Sequence, residues 1–356
     1  MIVTFTANPS LDRTASVGGP LVRGGVHRLS GVTVEPGGKG VNVARVVHLA
    51  GRDVVAVLPA APSDPLLAAL TELGVAHRAV PVPTLARTNL TLTEPDGETT
   101  KLNEPGAPLS PETTDRLLEA LTQAARGAEW VVLSGSLPPG APADWYATLL
   151  AAVRAGGAKV AVDTSDAPLL ALADAFPAAT PDLLKPNGEE LAQLTGADGA
   201  RLEAGAARGD LGPVVEAAAT LVGRGVPAVL ATLGGAGAVL VTADGAWHAT
   251  PPPVVPRSTV GAGDSSVAGY VLADLDGLDA PGRLRRAVAY GSAAAALPGT
   301  GLPSPAELDV DGVVVTALAA AGGPQPGAAS TAVSDTSTTL TAPPASTREA
   351  AVPPTT

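Results

Sequence analysis

The 356-residue sequence contains no cysteine, which excludes disulfides, thiolate catalysis and cysteine metal sites. Aromatic residues make up only 2% of it against 46% hydrophobic residues, so its core has to be built from Ala, Val and Leu. Lysine is scarce as well: of 22 basic residues, only Lys39, Lys101, Lys159 and Lys185 are lysines. Alanine richness with arginine over lysine has the look of a coding bias, and it makes the place of each lysine informative. Positive charge is lacking overall. A net charge of −12 argues against nucleic acid as a partner, and an anionic substrate has to be held by a local cation cluster. Long apolar runs are missing too: the longest, residues 226–241, is broken by Pro227, Gly234, Gly235 and Gly237, so no membrane span is expected. The first five residues lack a basic region and read as a strand rather than a signal peptide. Together with the missing cysteines, this makes a cytoplasmic location the expectation.

What is present centres on residues 257–270, R-S-T-V-G-A-G-D-S-S-V-A-G-Y. If Gly261, Ala262 and Gly263 open a helix, several backbone N–H groups converge on one point that the helix dipole makes mildly positive. Such a point suits a phosphoryl group. Asp264 then stands beside it, a carboxylate able to take a proton from an attacking hydroxyl, in a position where the dipole favours its ionised form. A glycine-rich turn with a helix-starting Asp is the plain alternative.

Further candidates lie at other strand ends. Residues 2–6 read as the first strand, followed by N-P-S-L-D; Asp12 could accept from substrate hydroxyls or serve only the turn. Strand 32–35 leads into P-G-G-K-G-V-N-V-A-R and a helix, where Gly37 and Gly38 allow close approach of a sugar. Asn42 there offers a donor and an acceptor, and Lys39 a point charge. The spacing is not that of a Walker A loop. Two β-like runs, 88–93 and 98–102, flank Asp96-Gly97 and predict a hairpin carrying Arg87, Asn89, Lys101 and Asn103, a set able to clamp a phosphate and hydroxyls.

From residue 110 onward helix and strand alternate, which predicts βαβ units and a mostly parallel sheet covered on both faces. K-P-N-G-E-E at 185–190 places Asn187 and Glu190 one helical turn apart. That pair suits water-mediated Mg²⁺ near a triphosphate, or simply a helix cap. Residues 201–211 read as a surface loop or insertion. The glycine turn at 232–237 could seat a nucleotide or be a plain hairpin. The four histidines, His27, His48, His77 and His248, fall outside these segments. Residues 322–356, mostly Pro, Ser, Thr and Ala, are expected to be a disordered tail after a domain spanning 1–321.

Four separated segments, N-P-S-L-D, P-G-G-K-G-V-N-V-A-R, K-P-N-G-E-E and S-T-V-G-A-G-D-S, together closely resemble the ribokinase-like carbohydrate kinases, the phosphofructokinase B family. The resemblance covers about residues 1–320. It implies a doubly wound α/β domain with a small β-sheet lid from about 12–35 and 85–105, a lid that in this family often forms a dimer interface. It implies Asp264 as base, Gly261, Ala262 and Gly263 as anion hole, and Asp12, Gly37, Gly38 and Asn42 around the sugar. Asn187 and Glu190 would organise Mg²⁺, and Thr232, Gly234 and Gly237 would face ATP. Four features most resemble the 1-phosphofructokinases of the family: Lys39, R-T-N at 87–89, T-T-K-L-N-E-P-G at 99–106, and S-G-S-L-P-P-G at 134–140. ATP, Mg²⁺ and a phosphosugar are therefore the expected partners, with Lys39, Arg87 and Lys101 at the sugar's existing phosphate. Fructose 6-phosphate and tagatose 6-phosphate are the competing substrates, and a non-catalytic sugar-phosphate sensor is the competing class.

Overall fold

The computed structural model describes residues 1–318; the tail expected at 322–356 lies outside them. Short runs such as Ile2–Phe5 and Trp130–Ser134 are buried along their whole length, as strands covered on both faces must be. They belong to a ten-stranded sheet. Its order is Val314–Leu318, Gly245–Thr250, Ala238–Thr242, Ala228–Thr232, Leu183–Leu184, Lys159–Asp163, Trp130–Ser134, Ile2–Phe5, Val54–Ala60, His77–Pro81. The seven strands from Ala228–Thr232 to His77–Pro81 pair in parallel, and the remaining three add on antiparallel. The fold is thus doubly wound α/β with a mostly parallel sheet, as the helix–strand alternation predicts.

The chain builds outward from Ile2–Phe5 to His77–Pro81, then returns to pair Trp130–Ser134 on the other side of Ile2–Phe5. That reversal opens a crevice at the carboxyl ends of the central strands, the usual ligand edge of such sheets. Asn8, Ser134, Asp163, Lys185 and Thr232 all stand at or just past those ends. Two helices, Ala262–Leu275 and Ala280–Ala296, cover one face. Gly269 lets them approach, since a Cβ there would lie 2.8 Å from the Arg286 carbonyl oxygen.

The second sheet is the lid: Leu29–Gly37, Ser10–Val17, Arg87–Thr93 and Thr99–Asn103 in that order. Its outer pairs are antiparallel and its central pair parallel, so it is mixed. Register sorts its side chains by face, because neighbours across a sheet point the same way. One row reads Glu35, Asp12, Asn89, Asn103, and another Thr33, Thr14, Thr91, Lys101. The alternate row reads Val34, Arg13, Leu90, Leu102. The lid therefore has one polar face and one largely apolar face.

Two local expectations change. Residues 201–211, read as a loop for their Ala and Gly content, instead contribute to the helix Gly199–Ala207, started by the Asp198 side chain accepting from the Arg201 N–H. The strand expected at 182–185 shrinks to Leu183–Leu184, because Pro186 cannot extend the ladder.

Candidate active site

Gly261 caps the helix Ala262–Leu275 in the left-handed region, at φ 77°, which a residue with a side chain adopts only at a cost. No side chain caps this helix start, so its first N–H groups are left for a ligand. Asp264 lies in the first turn and is 6% exposed. The second glycine motif meets it there: Asn42 Nδ2 donates to Asp264 Oδ2 at 2.9 Å across 222 residues of sequence. Gly38, at φ 102°, turns the chain into that helix, Lys39–Leu49, tightly over Thr6 and Pro9.

Burial raises the Asp264 pKa to about 6, and the nearby Asp163 carboxylate adds to the rise; Lys39, the Asn42 hydrogen bond and Lys185 oppose it. The dipole was expected to hold this carboxylate low. Desolvation wins instead, yet Asp264 remains mostly ionised at pH 7.

Sequence reasoning missed two members of this cluster. Asp163, ending its strand and 1% exposed, accepts from Lys39 Nζ at 2.9 Å and faces Lys185 Nζ at 3.3 Å. Burial works to raise Asp163, but Lys185 and Lys39 outweigh it and hold the group below the usual carboxylate value. Lys185 is itself buried, and a Cβ on Gly263 would lie 3.5 Å from its Nζ. Its ammonium thus lies against the uncapped helix end. Lys39 joins these charges rather than the polar lid face. Burial alone would lower its pKa, while Asp163 and then Asp264 hold it above its ordinary value.

Of the sugar-binding candidates, Asp12, Arg87, Asn89, Lys101 and Asn103 share the lid's polar face, whereas Gly38, Lys39 and Asn42 lie at the start of the helix Lys39–Leu49. Asp12 Oδ1 accepts from Ser10 Oγ at 2.7 Å and from Asn89 Nδ2 at 2.9 Å. A Cβ on Gly37 would lie 2.1 Å from Asp12 Oδ2, so glycine is required there for the carboxylate to sit as it does. Arg87 donates to the Glu104 carbonyl at 2.8 Å, while its buried Nε has no protein partner. Burial pulls its pKa down against Asp12 and Glu104. Arg87 lines a cavity with Asn8, Pro105 and Ser136 at the ligand edge. Lys101 and Asn103 are exposed at the lid's outer strand.

A second cavity of about 800 Å³ is lined by Asn187, Thr232, Gly234, Glu203 and His248, among others. Gly237 does not line it; a Cβ there would lie 2.0 Å from the Ala249 carbonyl oxygen, so this glycine serves a close backbone approach. His248, given no role from sequence, is brought in by hairpin register opposite Val239 and donates Nε2–H to the Ala236 carbonyl at 2.7 Å.

Asn187 and Glu190 form a reciprocal capping box, each side chain accepting from the other's backbone N–H at 2.8 Å. Among the described residues, no three His, Cys, Asp or Glu side chains converge to hold a metal ion directly. The residues present fit a hydrated Mg²⁺. The donors are hard oxygens, the box fixes Glu190 in place, and the buried Oδ2 of Asp163 has no protein partner. No helix among the described residues is long and apolar enough to cross a membrane.

Residues 8–307 match the model of the pfkB family carbohydrate kinases. The chain is 39% identical to a 1-phosphofructokinase of Rhodobacter capsulatus over 86% of its own length and 94% of that protein. It is 33% identical to the ATP-dependent 6-phosphofructokinase isozyme 2 of Escherichia coli, over 85% and 95% respectively. The structure of phosphofructokinase-2 from Escherichia coli in complex with substrates and products superposes with a TM-score of 0.78 at 32% identity, covering 86% of this chain and 96% of that one. With the buried Asp264 carboxylate, its asparagine partner and the uncapped helix start already in place, these matches show that the chain belongs to the pfkB family of carbohydrate kinases.

Proposed function

We propose that this protein transfers the γ-phosphoryl group of ATP to the 6-hydroxyl of fructose 1-phosphate, giving fructose 1,6-bisphosphate. The observation that carries the reaction type is the buried Asp264 carboxylate, held by Asn42 beside an uncapped helix start. A base next to an anion hole is the equipment for moving phosphate onto an alcohol. Asp264 takes the hydroxyl proton as the sugar oxygen attacks the γ-phosphorus in line, and the bond to the ADP oxygen breaks. The Gly261–Gly263 amides and the Lys185 ammonium receive the charge on the group in transit. Lys39, expected at the sugar's own phosphate, is better placed at this reacting end, beside Asp163 and Asp264. Glu190 with Asn187 would hold the waters of a bound Mg²⁺, which would supply neutralisation of the nucleotide's phosphate charge. Thr232, Gly234 and the helix Gly199–Ala207 wall the nucleotide cavity.

The phosphosugar assignment rests on Arg87, whose buried Nε lacks a protein partner at the cavity edge, with Lys101 on the same lid face. A neutral sugar has no use for these cations in a chain of net charge −12. Asp12 and Asn89 would take the sugar hydroxyls. The test is ADP release with ATP and Mg²⁺ on fructose 1-phosphate, fructose 6-phosphate, tagatose 6-phosphate and free fructose. Fructose 1-phosphate is expected to show the highest kcat/KM, and Arg87→Ala to raise its KM about 10-fold or more, the scale of a charge-assisted hydrogen bond. Preference for another phosphosugar changes the substrate and keeps the chemistry; free fructose winning overturns the clamp; no turnover leaves a sensor.

The lid's apolar face fits a second copy of this chain. Val32, Val34, Leu29 and Leu102 are each 43–55% exposed there, and large apolar side chains left exposed on one sheet face mark a surface that a partner covers. Sedimentation should give a dimer for the wild type and a monomer for Val34→Glu; a monomeric wild type rejects this interface.

A further inference from the structure

Glu35 sits in the same row of the lid as Asp12, yet its carboxylate turns toward the main domain. One oxygen accepts from Arg45 Nη2 at 2.7 Å, and Arg45 Nη1 also donates to the Pro36 carbonyl at 3.0 Å. Arg45 is 7% exposed and belongs to Lys39–Leu49, the helix whose Asn42 holds Asp264. The other oxygen accepts from the Thr300 hydroxyl, in the loop that follows the helix Ala280–Ala296. Thr300 is itself buried.

That loop touches both working parts. On one side, a Cβ on Gly299 would lie 3.5 Å from Thr14 Oγ1, on the lid's polar face, and that hydroxyl is buried without a partner. On the other side, the Leu302 side chain closes on Gly261, where an added Cβ would lie 2.8 Å from Leu302 Cδ2. Gly261 is the left-handed residue that starts the anion-hole helix. Four residues, 299–302, therefore span from the lid to the backbone that receives the phosphoryl group.

Resting on the kinase reading above, we propose that Glu35 and Thr300 are positioning residues that couple a sugar held on the lid to the anion hole and the base. A sugar held by Asp12 and Asn89 fixes the lid; Glu35 then fixes Arg45, and with it the Asn42 helix, and fixes Thr300, and with it the Leu302 contact on Gly261. Phosphoryl transfer becomes efficient only when the acceptor is seated, which disfavours transfer from ATP to water. Neither residue touches the reacting atoms, so their loss acts on turnover more than on sugar binding. A coupling carried by one buried hydrogen bond is on the order of five- to fiftyfold.

The test compares wild type, Thr300→Val, Thr300→Ser and Leu302→Ala as full chains, each with its melting temperature. Thr300→Val is expected to lower kcat about tenfold with the fructose 1-phosphate KM within about twofold. Thr300→Ser should restore kcat, and Leu302→Ala, which breaks the far end of the strut, should reproduce the loss. Hydrogen exchange gives a second readout: fructose 1-phosphate should slow exchange of the amides at 261–265 in the wild type and in Thr300→Ser, but not in Thr300→Val. An unchanged kcat in Thr300→Val, or preserved sugar-dependent protection at 261–265, overturns the coupling while leaving the kinase reading intact. If Thr300→Val does not fold, Leu302→Ala carries the same two readouts. A wild type that turns over no phosphosugar overturns the kinase reading and the strut together.

Discussion

Asp264→Asn is expected to lower kcat by about 10²–10⁴-fold, the range for loss of a general base, without a loss of thermal stability. The two halves of that result have one cause. Asp264 is buried near another carboxylate, Asp163, so its ionised form is disfavoured in the folded protein and its pKa rises to about 6. An amide of the same shape keeps contact with Asn42 and removes the buried charge, so the melting temperature should hold or rise while the chemistry stops. Sites that gain stability on losing activity are a common trade-off. The same shift fixes the pH behaviour of the wild type. Asp264 protonates as pH falls through about 6, so kcat should decline on that limb, and the limb should be absent from the residual rate of Asp264→Asn. Stability linked to this group runs the other way. Its folded pKa lies above the unfolded value, so the folded state takes up the proton first, and its contribution favours folding increasingly as pH falls from about 6 toward the ordinary carboxylate value. Asp163, held low by its two lysines, contributes stability that is instead lost at acid pH. A folded Asp264→Asn that retains wild-type kcat would remove this residue from the mechanism.

Much of this was legible in the chain, and the limits are physical. Helix–strand alternation and buried apolar runs specify a doubly wound sheet because those patterns have few other ways to bury themselves. Gly261, Gly263 and Asp264 are adjacent in sequence, so their local geometry can be read from it. The Asn42–Asp264 hydrogen bond joins two motifs 222 residues apart; each motif was visible, and the bond between them was not. Asp163 sits in V-A-V-D-T-S, an ordinary strand end with no motif, and its importance comes from Lys39 arriving at a helix start and Lys185 at another strand end. Glu35 gave no local signal at all. The helix Gly199–Ala207 does carry one, since Asp198 is a capping residue in the right place. His248 lies outside the motif segments, and its place at the cavity depends on hairpin register, which is fixed by packing across the sheet. The charge of Lys39 and its glycine setting are legible, and those fix neither the direction of a side chain nor its partner.

Lys185 supplies the sharpest case, because scarcity makes each lysine worth placing, while K-P-N-G-E-E read as a motif gives its role to Asn187, two residues later. Lys185→Met is expected to lower kcat about 10²-fold, the cost of removing one donor from an anion hole, with a smaller effect on the phosphosugar KM. The ammonium is buried against Gly263 and faces Asp163 at 3.3 Å, so it can meet negative charge on the transferring group without first shedding much water. Methionine nearly preserves the volume and removes the charge. Some stability should go with it, but less than the roughly 3–5 kcal/mol of a fully orphaned buried charge, because Lys39 still donates to Asp163 at 2.9 Å. Lys185 also helps hold the Asp264 pKa down, so the acid limb of the kcat profile should move to higher pH in Lys185→Met. Adding Asp163→Asn separates structure from chemistry. The double variant removes the carboxylate that has lost one of its two lysines and should regain melting temperature, whereas kcat should stay low because the anion hole still lacks its cation. If kcat recovers with stability, Lys185 serves only to neutralise Asp163, and the charge on the phosphoryl group in transit is met by the Gly261–Gly263 amides without it.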